Sequence, residues 1–180
     1  HLDVDDDLGE QRVNYIRGSS ADEQINGGTF ANRENPNLGP ILNSSPLLVG
    51  NGFNASGSQI LAYPDDLELD GGQTYSDFLC KNPNDNNDDG LVDSCTDGIF
   101  KRLSVVYLGS SDGMLHAYDA SVPGGGDELF SYIPNLVYKK ASRLTNANAS
   151  SSAMVDGPLV SADVFYGGKW HTMLVGGLRT

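Results

Sequence analysis

Apolar residues in this chain come in short bursts between turns rich in Gly, Asn, Asp and Ser, which is the rhythm of short β-strands and not of long helices. The run Pro46-Leu47-Leu48-Val49 forms a brief apolar strand within 45–50, and 157–163 repeats its opening at Pro158-Leu159, so the two read as equivalent strands of successive repeats. Between them a strand over 103–108 passes through Gly109-Ser110-Ser111-Asp112-Gly113 into a second over 114–119, then through a glycine-rich turn into a third over 128–133. Strand, turn, strand, turn, strand is one antiparallel blade. A further hairpin is predicted from Asp163-Val164-Phe165-Tyr166 through Gly167-Gly168 into 170–175.

Helical spacing occurs twice. Asp7, with Glu10 three residues on, reads as a capping box; Leu8, Arg12, Tyr15 and Ile16 then fall near one face before Gly18 stops the helix. Residues 135–144 read as a surface helix with Leu136, Val137, Lys140 and Leu144 near one face. The whole chain, 1–180, is expected to be one domain, with 51–100 as an insertion into the first repeat. Its longest apolar runs are far too short for a membrane span. No signal peptide is present in the sequence as given, and His1 reads as the start of a processed or excised piece.

Charge narrows the partners. With 11 basic and 24 acidic residues, net −13, and no basic cluster, neither nucleic acid nor an anionic membrane is a natural partner. Ten of the acids lie between Asp65 and Asp97, where Lys81 is the only base. Such a segment repels itself unless a cation sits in it.

The strongest chemical signal lies inside that segment. Asp85, Asn87, Asp89 and Asp93 place side-chain oxygens at positions 1, 3, 5 and 9 of a calcium loop, with Gly90 at the turn position and the Leu91 carbonyl available as a backbone ligand. Ca²⁺ is a hard cation that takes oxygen ligands, and these residue types at this spacing converge on one point. Position 12 is Thr96 and no long amphipathic helices flank the loop, so an isolated calcium loop is expected, not an EF-hand. The register through Asn84, Asn86 and Asp88 puts Asp89 where the glycine belongs. Near the N-terminus, Asp3, Asp5 and Asp7 alternate as well, but Leu8 occupies the glycine position, and favourable interaction with a helix N-terminus is the better reading.

Cys80 and Cys95, the two cysteines, bracket the loop 15 positions apart. A disulfide between them would constrain the unfolded chain by about 3 kcal/mol in the entropy model and implies an oxidising compartment. Other motifs carry less. Gly109-Ser110-Ser111-Asp112-Gly113 has the form of a nucleophile elbow, but Ser111 is followed by strand-like residues where an elbow needs a helix. His116 alternates with Met114 and Tyr118 on one strand face and reads as a packed, hydrogen-bonded histidine; His171 stands similarly beside Trp170. No catalytic constellation emerges, so an enzyme is not expected. Sequons at Asn43, Asn54 and Asn148 matter only in a glycosylating host.

Taken in order, 12–18 (Arg-Val-Asn-Tyr-Ile-Arg-Gly), 38–46 (Leu-Gly-Pro-Ile-Leu-Asn-Ser-Ser-Pro), 106–120 (Val-Tyr-Leu-Gly-Ser-Ser-Asp-Gly-Met-Leu-His-Ala-Tyr-Asp-Ala), 128–134 and 167–177 closely resemble the C-terminal propeller domain of the PilY family, the type IV pilus tip-associated adhesins. Pro40 departs from the acidic residue usual there, and family members continue beyond Thr180 into more blades. The resemblance implies a mainly β fold, a partial modified β-propeller of the pyrroloquinoline-quinone-dehydrogenase type, with a calcium-loop insertion and short helices. It implies a module exposed on the bacterial surface or pilus, reached through the periplasm, that supports pilus assembly, adhesion and twitching motility. Its partners would be pilin or minor pilin subunits, the remaining blades, and a host or abiotic surface. Ca²⁺ would be held by Asp85, Asn87, Asp89, Leu91 and Asp93. The alternative is a non-catalytic structural or interaction module of an extracellular filament that shares the fold alone. Quinone dehydrogenases also use such blades with calcium, but no cofactor cage is visible here.

Overall fold

The structure, a computed structural model, describes residues 2, 5–50, 74–79, 102–121, 123–138, 140–148 and 154–179. Two antiparallel sheets organise it: a four-stranded sheet in the order β1-β2-β3-β4, and a two-stranded hairpin, β5-β6. The strands are β1 (Leu47–Val49), β2 (Val105–Gly109), β3 (Leu115–Asp119), β4 (Glu128–Tyr132), β5 (Leu159–Tyr166) and β6 (Lys169–Gly176). The short helices are α1 (Gly9–Ile16), α2 (Tyr75–Leu79) and α3 (Asn135–Tyr138), with 3₁₀ turns at Gln24–Asn26 and Ala141–Thr145. The fold is thus mainly β with few, short helices, as the strand rhythm predicts.

The strand alternation sets the sheet's two faces. Leu47, Tyr107, Ala117 and Phe130 stand opposite one another in a row across β1 to β4. Ala117 is fully buried in that row, and its small side chain lets the Tyr107 and Phe130 rings approach to 6.3 Å between centroids. On the other face His116 stands opposite Leu108 and Ser131. A register shift between Ala117 and Tyr118 then brings Glu128, not Leu129, opposite Tyr118 and onto the face of His116.

The strand expected over 157–163 and the one expected over 163–166 are a single eight-residue strand, β5, which turns into β6 at Gly167 and Gly168. Both turn glycines have positive φ (60° and 77°), the geometry of a type I′ hairpin that few other residues tolerate. Where β2 ends, Gly109 lies so close to the next repeat that a Cβ would sit 2.2 Å from the Val155 carbonyl oxygen. That position requires glycine for close backbone approach.

Two helical expectations need correction. Asp7 does not cap α1: it has φ of +58°, Leu8 stands at the N-cap, and no side chain caps that end. Asp6 takes the partners instead, accepting the Leu8 N–H at 3.2 Å and both terminal nitrogens of Arg12, at 2.7 and 2.5 Å. A carboxylate one residue earlier reaches the buried Arg12 guanidinium in a bidentate, charge-assisted pair, where a cap at Asp7 would have satisfied a single backbone N–H. The predicted surface helix divides into α3 and the Ala141–Thr145 turn. Of the predicted face, Val137 is buried and Leu144 packs into the same cluster, but Leu136 is 79% exposed, and Ala141 and Thr145 are buried with Val137.

The core comprises local clusters. Val137, Met154 and Val155 pack with Leu115, Ile133 and Leu144 beneath the four-stranded sheet. Tyr75, Leu79 and Trp170 pack with Phe78 and Phe165 against the hairpin. Near the N-terminus, Tyr15 meets Phe30 edge to face, and Arg33 lies over the Tyr15 ring at 3.6 Å while bonded to Glu23 at 2.9 Å.

Candidate functional site

The predicted calcium ligands Asp85, Asn87, Asp89, Leu91 and Asp93, and the predicted disulfide partners Cys80 and Cys95, lie outside the described residues. Among the described residues no group of His, Cys, Asp and Glu side chains is arranged for a metal ion, and no helix is long and apolar enough to cross a membrane. What the structure describes is the ground on either side of the predicted calcium loop, together with the carboxylates of Asp163, Asp156 and Asp112, of which Asp156 is buried and joins the two repeats.

Helix α2 precedes the predicted calcium loop and Arg102 follows it. Five residues are too few for a helix that holds its own shape in water, so α2 depends on docking. Tyr75 and Leu79 are buried, and the Tyr75 ring lies 4.7 Å from that of Trp170 on β6. The Tyr75 hydroxyl donates to Asp163 Oδ2 at 2.7 Å. Arg102 Nη1 donates to both oxygens of the same carboxylate at 2.8 Å, and its guanidinium lies over the Phe78 ring at 5.6 Å. Thr172, directly across the hairpin, donates its hydroxyl to Asp163 Oδ1 at 2.8 Å. One carboxylate on β5 therefore holds a residue on each side of 80–101.

A second carboxylate joins the two repeats. Asp156 is fully buried. Its Oδ1 accepts the backbone N–H of Leu42 (3.1 Å), Asn43 (2.7 Å) and Ser44 (3.0 Å), and its Oδ2 accepts the Asn43 side-chain amide at 2.5 Å. Burial pushes this carboxyl up, but the Asn43 bonds and the other donated N–H groups outweigh it and hold the pKa at about 2. Ser44 continues the chain of bonds, its Oγ accepting the Gly109 N–H at 3.0 Å.

A third cluster surrounds His116, which has no exposed surface. Its Nδ1 faces Glu128 Oε1 at 2.7 Å and its Nε2 faces Asp112 Oδ2 at 3.0 Å. Both ring nitrogens donate only in the imidazolium, so the two carboxylates favour the charged form. Burial lowers the pKa of His116, the bonds to Asp112 and Glu128 raise it, and the net direction is up. Asp112 is drawn the other way: burial raises it, while His116 and the N–H groups of Gly39 and Met114 hold it below the usual carboxylate range. Because Asp112 Oδ2 also accepts the Gly39 N–H at 2.8 Å, the cluster fixes the 39–40 loop to the β2–β3 turn.

The expected packed histidine is therefore present at His116. Ser111 sits in a strand-turn-strand, as the rejection of an elbow requires, with its N–H donated to the Pro40 carbonyl at 3.0 Å. His171 stacks on Tyr166 at 4.0 Å. Sequence reasoning missed Asp112, Asp156 and Asp163. Only Asp156 left a readable signal, its place two residues before Pro158, where Ser44 stands before Pro46.

Comparison with known proteins identifies the chain's relatives. The type IV pilus biogenesis factor PilY1 of Pseudomonas aeruginosa strain PAK is 37% identical over 180 residues, covering 98% of this chain and 13% of the relative. A PilY1 homolog of Xylella fastidiosa strain Temecula1 is 32% identical over 170 residues, covering 93% of this chain and 12% of that protein. No family model and no solved structure matches. The chain belongs to the PilY1 family, as a segment that spans about an eighth of the length of these relatives.

Proposed function

We propose that this chain is the opening part of a modified β-propeller in a calcium-binding module of the bacterial surface or pilus, supporting type IV pilus biogenesis, adhesion and twitching motility. The observation that carries the reading is homology to pilus biogenesis factors along almost the whole chain. The sheet order agrees with it. Four strands in simple meander order make one blade, and β5-β6 begins the next in the same way, each introduced by a proline at the same place. Remaining blades of the same protein or another chain would cover apolar positions such as Val160 and Val175, a cross-strand pair that is about 60% exposed on both sides (60% and 59%).

Calcium fits the donor set of the acidic segment, since Asp85, Asn87, Asp89, Asp93 and the Leu91 carbonyl all offer hard oxygens. Those residues would bind the cation, and the cation would supply the positive charge that three crowded carboxylates lack. A Cys80–Cys95 disulfide would brace the same segment, in keeping with export to an oxidising compartment. No step of chemistry is assigned to any residue; the module is a non-catalytic one whose partners are pilin or minor pilin subunits and an external surface. Ordering of the segment by calcium would change whatever contact it makes with those partners.

A chromosomal Asp89→Ala variant tests this reading. Twitching zones and surface pili reduced severalfold, at normal protein abundance, are expected. Motility and piliation equal to wild type would overturn it.

A further inference from the structure

A groove of about 950 Å³ opens beside Asp112, a volume within the range of ligand clefts. Three stretches contribute most of its lining: 31–41, the β2–β3 turn and 143–148. Its apolar surface comes from Ile16, Leu38, Ile41, Met114, Leu144 and Met154, of which the two methionines are buried. Methionine adapts its shape to what it touches, which suits a binding surface. The frame around these side chains is fixed. Arg33 is held by Glu23 and by the carbonyls of Tyr15, Ser19 and Pro36, Gly39 is held by Asp112, and Ala31 donates its N–H to the Thr145 carbonyl at 3.0 Å, joining the first stretch to the third. A groove whose walls are set beforehand has less entropy to lose on binding.

The polar groups of the groove define what fits it. Asn32, Asn35 and Asn146 each have the side-chain oxygen engaged by a backbone N–H, of Ile25, Asn37 and Asn148 in turn, so the NH₂ is what each has to offer an occupant. Arg33 and Asp112 are already paired, with Glu23 and His116. Arg143 is different: it is exposed, and among the described residues no hydrogen bond or ion pair engages its guanidinium. Several amide donors along an apolar groove, with one unpaired cation, match a chain that repeats a carbonyl at every residue and carries a carboxylate. A fatty acid would present a single head group and leave the amides without partners.

We propose that this groove is a docking site for an extended polypeptide segment of another protein, apolar where it meets Met114, Leu144 and Met154 and acidic where it meets Arg143. The guanidinium would take the carboxylate in a bidentate pair. Glu34, exposed on the 31–41 stretch, adds a charge of opposite sign to the same groove, so a segment with a single acid is favoured over a uniformly acidic one. None of the predicted calcium ligands lines the groove.

The methionines make this measurable. Met114 and Met154 line the groove while Met173 lies on β6, so the methionine methyl NMR signals of the full chain comprise two reporters and an internal control. The probes are pools of end-capped octapeptides with alanine, leucine, isoleucine, valine or serine at the flanking positions and aspartate, asparagine or lysine fixed near the centre. The expected result is saturable shifts of Met114 and Met154 with Met173 unmoved, and an aspartate pool that binds about threefold to fivefold tighter than the asparagine pool. Arg143→Gln should remove that preference and Arg143→Glu should turn it toward lysine. Because Arg143 is exposed, both variants should fold, and an unchanged Met173 signal verifies it. Equal binding of the three pools, a preference unchanged in Arg143→Glu, or no shift at Met114 and Met154 would overturn the proposal. Decanoate is titrated in parallel, and shifts of the same methyls at an equal or lower Kd would assign the groove to a small amphipathic acid and overturn the polypeptide reading. Shifts of those methyls with protein concentration alone would place a second copy of the chain there and overturn it as well.

Discussion

The carboxylate of Asp156 accepts the backbone N–H of Ser44, the residue that holds the same place before Pro46 as Asp156 itself holds before Pro158. Two equivalent positions in successive repeats are thus bonded to each other. Ser44 in turn takes the N–H of Gly109 at the end of β2, so a single line of bonds runs from the start of β5 through the start of β1 to the end of β2. Gly109 admits this because it has no Cβ to strike Val155.

Asp156→Ala is expected to destabilise the chain by about 2–4 kcal/mol in chemical denaturation, since it leaves several N–H donors without their charged acceptor. The acid side gives an independent check. The folded pKa, about 2, lies below the ordinary 3.8, so the stability this carboxylate contributes is present above about pH 4 and is lost as pH falls toward 2. Denaturation midpoints measured across that window should fall more steeply for wild type than for Asp156→Ala. Parallel curves would mean that the bonds to Leu42, Asn43 and Ser44 do not stabilise the fold.

His116 produces the opposite dependence. Its folded pKa is raised above 6.5, so its contribution is complete below that value and is lost as pH rises through the folded pKa. Stability should therefore decline as the solution is taken from slightly acidic to alkaline, and His116→Gln should remove that slope. Proton NMR titration of the imidazole checks the same point directly. A His116 signal that titrates below 6.5 would contradict the Asp112–His116–Glu128 arrangement.

The strands were legible because they are short, apolar-rich runs set off by turn residues, with Gly50, Gly109, Gly167-Gly168 and Gly176-Gly177 closing four of them and Ser111-Asp112-Gly113 turning β2 into β3. The polar centres were not. Asp112, Asp156 and Asp163 each draw partners from far along the chain, 73 positions for Gly39 to Asp112 and 88 for Tyr75 to Asp163, and no local pattern records such a contact. The capping box failed for a related reason. Asp7 satisfied the local rule, while the buried Arg12 drew Asp6 and decided the backbone. For α3, periodicity alone could not fix which neighbour of Val137 faces inward.

Cys80 and Cys95 are expected to be joined. Intact mass of native protein treated with an alkylating agent, before and after reduction, should show no adduct without reductant and two with it. Two adducts on native, unreduced protein would show that the pair is not a disulfide.

The central claim is that the acidic segment is a calcium site. Calorimetric titration of calcium into metal-free wild type, Asp85→Ala and Asp89→Ala tests it most directly. One Ca²⁺ per wild-type chain, with no measurable saturable binding in either variant, is the predicted result. Binding of the same affinity in all three proteins, or none in the wild type, would contradict it.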